Sequence, residues 1–325
     1  MAAAPPLPQF STLAAFDHQP RTRIVFGVDS LERLGELARD LSARNVLLVT
    51  DAGIVAAGHA ERALRCLEAA RLKVVLFDRA AENPTTRCVE ECVDAAKAAA
   101  RIAILDPKLT LSQPARVTAC TGIDAIAHVV ETAVTKRRNA LSLMCAHEGF
   151  KLTVPNLPRV FHDPQDLEAR GRMQLGAAFA GLAIENSMLG AAHSAANPLT
   201  AHYGIVHGQA VGMMLPHVVR FNGRDPGALK AYAELASAPE IACVSDGLEE
   251  ALEALIAHLE SLLNIAAMPR SLAACGVQPA LVPTLAAEAA RQWTASFNPR
   301  RLAAEDFERL YEAAFEPRGG TEGPF

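Results

Sequence analysis

The hydrophobic and polar positions change their period part-way along the chain. From Arg23 to about Leu105, short apolar or β-branched runs alternate with amphipathic stretches. RIVFG (Arg23–Gly27), NVLLVT (Asn45–Thr50), Lys73–Phe77 and RIAIL (Arg101–Leu105) predict strands. NVLLVT is a continuous apolar run, as expected of a strand covered on both faces. Between the first two, DSLERLGELARDLSA puts Leu31, Leu34, Leu37 and Leu41 on one side of a helix, with Asp29 and Ser30 as the expected cap. Further helices are expected near His59–Ala70 and at Thr85–Ala100. Alternating β and α units of this length predict a parallel sheet.

After Asp106-Pro107 the strand pattern fades and helix follows helix. The expected spans are Gly122–Thr135, Ala140–Leu157, Leu167–Asn186, Gly208–Phe221, Gly247–Leu263, Pro279–Arg291 and Ala304–Phe315. Pro155, Pro198, Pro216, Pro269 and Pro283 are expected at element ends, because proline cannot donate within a helix. The chain thus reads as an α/β N-terminal domain at 23–106 and an all-α domain at 107–325, behind a flexible Pro- and Ala-rich leader at 1–22.

Composition supports this division and narrows the partners. With 325 residues, one large domain or two ordinary ones are possible. The net charge of −5 gives no broad positive field, so neither nucleic acid nor an anionic membrane is the expected partner. No apolar stretch is long enough for a membrane span, and the leader lacks the basic region and apolar core of a secretory signal. Seven scattered cysteines suit a reducing cytosol better than a disulfide scaffold, so a cytoplasmic location is expected. Cys88 and Cys92 lie one helical turn apart and read as a half-buried helix face.

The candidate chemistry lies in the helical half. In TGIDAIAHVVE, Asp124 and His128 are four residues apart and share a face of an otherwise apolar helix. A carboxylate turned toward a core needs a positive neighbour. A metal ion meets that need; an Asp–His hydrogen bond also explains the pair. The stretch GAAHSAANPLTAHYGIVHGQAVGMMLPH holds His193, His202, His207 and His217. Each alone reads as a structural histidine, but with Asp124 and His128 a site of three histidines and one aspartate becomes credible. Such a set suits Fe(II) or Zn(II) with a position left open.

TGIDAIAHVVE, GAAHSAANPL and VHGQAVGMMLPHVVRFN together resemble the metal-site pattern of the iron-containing (group III) alcohol dehydrogenases. VTDAG, ENPTT, ILDPKLT and SFNPRRLAAEDFERLYEAAF resemble further family segments in the same order. The resemblance runs from about Arg23 to the C-terminal region. It implies an N-terminal dinucleotide-binding-like α/β domain, here with a truncated parallel sheet, and a helical metal-binding domain. It places the metal ligands, for Fe2+ or Zn2+, on Asp124, His128, His193 and His207, and leaves His202 and His217 structural. It also implies interconversion of a small alcohol with an aldehyde or ketone, a nicotinamide cofactor and a homodimer. Asp51, Asn83 and Leu111 match cofactor-side positions, and a carboxylate at Asp51 favours NAD over NADP.

Two departures from the family pattern matter. The GGGS-x-x-D loop and the TTAGTGSE segment are missing, because DAAKAAA runs straight into RIAILDP. Glycine-loop backbone N–H groups at a helix start are what hold a pyrophosphate. Asn197 stands where many relatives carry a second histidine, and asparagine cannot act as a general base. Two functional readings follow: an alcohol dehydrogenase with impaired NAD binding, or a non-catalytic, internally deleted metal-binding relative. The missing block should also leave unpaired sheet edges, an aggregation liability.

Overall fold

The computed structural model describes residues 22–80, 102–239, 241–242, 245 and 247–315. The helix expected at Thr85–Ala100, with Cys88 and Cys92, lies outside these residues, as does Asn83. Among the described residues, one compact unit ends at Gln113 and another begins at Pro114.

The smaller unit contains the strands β1 (Arg23–Phe26), β2 (Asn45–Val49), β3 (Lys73–Phe77) and β4 (Ile102–Leu105). They form two parallel pairs rather than one sheet. β1 pairs with β4 in the register Arg23↔Ile102, and β2 pairs with β3 in the register Asn45↔Lys73. Helices α1 (Leu34–Asp40), α2 (Ala52–Ala56) and α3 (His59–Ala69) accompany them. The expectation that β2 is covered on both faces does not hold: its interior is half-buried and Val49 is exposed. A pair of strands has no third neighbour to cover it among the described residues, and Ile24, Phe26, Val75 and Leu76 are exposed as well.

The cap expected from Asp29 and Ser30 is also replaced. The residues Ser30–Arg33 form a 3-10 turn before α1, and Asp29 sits at φ 60° with no capping bond from its side chain. Its carboxylate instead meets Lys108 at 2.5 Å and Arg62 at 3.5 Å. The backbone here is held from across the unit by Asp106, which is fully buried at the end of β4. Asp106 Oδ1 accepts from the N–H groups of Asp29 and Lys108, each at 3.1 Å, and Oδ2 accepts from that of Leu31 at 3.3 Å.

The larger unit is helical throughout its described residues. Its first half comprises α4 (Ala115–Thr132), α5 (Ala140–Thr153), α6 (Asn156–His162), α7 (Leu167–Ser187) and α8 (Ala191–Tyr203). The second half comprises α9 (His207–Asn222), α10 (Pro226–Ser237), α11 (Leu248–Ile265), α12 (Val282–Arg291) and α13 (Ala304–Ala313). α4 packs against α5, α7 and α9, so its residues Ile126, Ala127, Val129 and Val130 are buried. Tyr232, Phe150, Leu199, Met214, Phe307 and Tyr311 complete a continuous core.

Two of the proline breaks are not breaks. Pro198 lies inside α8 and Pro216 inside α9. Both helices are buried almost all round, and packing on every side outweighs the one backbone hydrogen bond that each proline removes. Pro155 behaves as expected and splits the span Ala140–Leu157 into α5 and α6. Pro283 is accepted in the first turn of α12, where its missing N–H is needed least. No single helix among the described residues is long and apolar enough to cross a membrane.

Candidate metal centre

Three helices bring the four sequence-predicted ligands together. Asp124 and His128 stand one turn apart on α4, with His128 Nε2 3.4 Å from Asp124 Oδ2. His193, in the first turn of α8, places Nε2 3.3 Å from Asp124 Oδ1. His207 is the first residue of α9, and its Nε2 lies 3.9 Å from the same oxygen. Donor atoms of Asp124, His128 and His193 all lie within 4.8 Å of one another. The His207 ring centroid is 5.3 Å from that of His193.

Close helix approach makes this convergence possible. A Cβ on Gly208 would fall 2.1 Å from the carbonyl oxygen of Cys120 and 3.2 Å from Cβ of Asp124. Only glycine lets the start of α9 lie so near α4. Gly208→Ala should therefore push α9 outward and destabilise the protein by about 1–3 kcal/mol. A thermal melt identical to that of the parent protein would contradict this.

The electrostatics suit a cation. Burial pushes the Asp124 carboxyl up, but the surrounding His193, His128 and His207 outweigh burial and hold it below the usual carboxylate range. Burial drives His128 down to about 4 against the pull of Asp124, and it lowers His207 in the same way. These groups are electron-pair donors at neutral pH. Burial works against a charged His193 too, yet Glu131 and Asp124 overcome it and raise this imidazole to about 9. The two carboxylates thus favour positive charge at His193 itself. Asp124 Oδ1 and His193 Nε2 are buried and face each other at 3.3 Å without forming a well-aligned hydrogen bond, an arrangement that a shared cation would satisfy better. A divalent ion fits this donor set of one oxygen and three nitrogens.

Glu131 is the functional-site residue that the sequence reading missed. It is 2% exposed, on the same α4 face as Asp124, and its Oε2 lies 2.5 Å from His193 Nδ1. The signal was present: a third ionisable side chain, seven residues after Asp124 in an apolar helix, repeats the period of that face.

Each remaining candidate has a local setting of its own. Asp51 caps α2, with Oδ1 accepting from the N–H groups of Gly53 at 2.7 Å and Ile54 at 3.0 Å. Leu111 follows the 3-10 turn Pro107–Thr110. His202 pairs with Glu288 at 2.9 Å, and His217 lines a surface cavity with Arg220 and Arg309. Asn197 donates to Gln292 Oε1 at 3.1 Å.

The geometry can now be set beside known proteins. Residues 118–315 match the C-terminal model of the Fe-containing alcohol dehydrogenase family, and residues 20–105 match the iron-containing alcohol dehydrogenase model. The chain belongs to the iron-containing alcohol dehydrogenase family. It is 27% identical to a choline dehydrogenase of Bacillus subtilis (strain 168), over 90% of this chain and 94% of that relative. That alignment runs 379 residues, longer than the 325 of this chain, so the relative carries residues with no counterpart here. A 1-propanol dehydrogenase of Citrobacter freundii is 33% identical over 65% of this chain. There the match spans only 58% of the relative. The fold is that of a crystallised 1,3-propanediol oxidoreductase, with a TM-score of 0.87 at 23% identity, covering 93% of this chain and 100% of the other. The division into short parallel strands and a helical metal-binding region is therefore the iron-containing alcohol dehydrogenase architecture.

Proposed function

We propose that this chain is a metal-dependent oxidoreductase interconverting small alcohols with aldehydes or ketones. Asp124, His128, His193 and His207 hold one divalent ion, Fe(II) or Zn(II). The observation that carries the reading is the meeting of Asp124, His128 and His193 donor atoms within 4.8 Å of one another, with His207 Nε2 3.9 Å from Asp124 Oδ1. When bound there, the ion supplies Lewis-acid polarisation of the substrate oxygen.

The chain's own residues do the rest. His193 and Asp124 anchor the buried side of the site, while the His207 side chain, 36% exposed, marks the side from which a small molecule can approach. Asn197 can orient a polar group but cannot accept a proton as a base. The named activities of similar proteins, on choline and 1-propanol, favour a small primary alcohol as substrate.

NAD is the proposed hydride partner, but the residues present fit it poorly. The glycine segments that would hold its pyrophosphate are absent from the sequence, and Asp51 Oδ1 already caps α2. NAD should therefore bind weakly. The poor fit also supports the second reading, a metal-binding relative that does not turn over. Metal analysis of the purified protein should find about one iron or zinc per chain, the stoichiometry of a single closed ligand set. Calorimetry with NAD separates the readings: micromolar affinity would favour a working dehydrogenase, and no detectable binding would favour the non-catalytic relative.

A further inference from the structure

We propose that Glu131 is the positioning residue of the metal centre, fixing both the tautomer and the orientation of His193. The inference rests on the ligand assignment above and extends it to a side chain that touches no substrate. Glu131 is buried between α4 and the start of α8, and both of its oxygens are used. Oε1 accepts from the Ala192 N–H at 2.6 Å. Oε2 accepts from the Gly190 N–H at 3.2 Å and faces His193 Nδ1 at 2.5 Å. With Glu131 accepting throughout, the hydrogen in the last contact belongs to Nδ1. Nε2 of a neutral His193 then presents a lone pair toward Asp124, where a ligand atom is needed. Among metal-bound histidines, a carboxylate on the second nitrogen is the usual means of setting tautomer and ring angle.

A helix cap alone would not require this arrangement. A capping oxygen normally comes from the residue just before the helix. Here that residue is Gly190, where a Cβ would lie 3.1 Å from Glu131 Oε1 and 3.0 Å from Asn298 Oδ1. The glycine leaves room for acceptors brought from elsewhere: Asn298 Oδ1 takes the Ala191 N–H at 3.3 Å, and Glu131 takes the N–H groups on either side. Asn298 is locked in turn by paired amide bonds with Asn222 at 2.7 and 3.0 Å. The carboxylate that steadies His193 thus comes from the helix that carries Asp124 and His128. One side chain sets the spacing between the two halves of the site.

Titration of the full-length, metal-stripped protein with Zn(II) and Co(II), comparing the parent with Glu131→Gln and Glu131→Asp, tests the proposal. A glutamine must turn its NH2 toward either a backbone N–H or His193 Nδ1, and the second choice favours the wrong tautomer. Glu131→Gln should bind both ions about 10–100-fold more weakly and shift the visible Co(II) spectrum, with partial recovery in Glu131→Asp. A purely structural cap would lower the melting temperature and leave the Co(II) spectrum of the folded fraction unchanged. Parent-like affinity and spectrum in Glu131→Gln would overturn the proposal while the ligand assignment stands. A parent protein that binds neither ion would overturn the ligand assignment and this inference with it. If Glu131→Gln does not fold, 15N-histidine spectra of the Zn(II)-loaded parent decide: Nδ1–H on His193 supports the proposal, and Nε2–H overturns it.

Discussion

His193→Ala should yield a folded protein that retains no metal, and alcohol turnover should fall by about 100-fold or more, since Lewis-acid assistance is worth several kcal/mol. The size of the effect follows from where the side chain lies. His193 is 3% exposed and contacts both Asp124 and Glu131. Removing it takes away a proposed ligand and leaves two carboxylates facing a vacated space with their partner gone. Breaking a buried ionic contact in this way costs about 3–5 kcal/mol, so a clear drop in melting temperature should accompany the loss of metal. His202→Ala is the matched control. That histidine is about one-third exposed in its pair with Glu288, and such surface pairs contribute about 0–1 kcal/mol. Metal content by elemental analysis and melting by circular dichroism should separate the two variants. A His193→Ala protein carrying its full complement of metal would end the ligand assignment.

The candidate site was partly legible in the sequence because its proposed ligands follow helix geometry. Asp124 and His128 share a face by spacing alone, and Gly208 after His207 permits a tight bend or a close approach. Glu131 followed the same period but was not read, because a lone buried carboxylate does not announce its partner. Its partner lies 62 positions away in sequence. The same limit applied at Asp106, whose side chain holds backbone that precedes it by 75 and 77 residues. Local rules assigned the cap to Asp29 and Ser30, whereas long-range contacts decided it. The two helical prolines erred for a related reason. Propensity describes an isolated helix, and α8 and α9 are held by neighbours on nearly every side. In the smaller unit, the alternating pattern identified every described strand. It could not say that they would form two separate pairs, because pairing depends on which strands are neighbours in space.

Asp106→Ala should unfold the smaller unit while leaving the helical unit intact. The substitution removes the acceptor for the N–H groups of Asp29, Leu31 and Lys108 at a fully buried point. Each orphaned donor costs about 1–3 kcal/mol, and partial relaxation brings the sum to about 3–5 kcal/mol. The smaller unit has little to set against such a loss. Its described apolar core is short, consisting of Val25, Leu31, Leu37, Ala60, Ala63, Leu67 and Ala70, and both strand pairs leave large apolar side chains exposed. Two-stranded pairs contribute little stability of their own in water. The helical unit has a continuous core of its own running from Ala119 to Ala314. Asp106→Asn keeps one acceptor oxygen and should lose less, which separates the hydrogen-bonding effect from simple loss of volume. Limited proteolysis followed by mass spectrometry should find early cuts confined to residues 23–113 in Asp106→Ala, with most helical circular dichroism preserved. The idea fails if both units are cut at equal rates, or if the alanine variant melts in one transition at the parent temperature. The strand edges left unpaired among the described residues add a visible consequence, since freed apolar strands associate. The alanine variant should therefore aggregate on warming at a temperature where the helical unit is still folded.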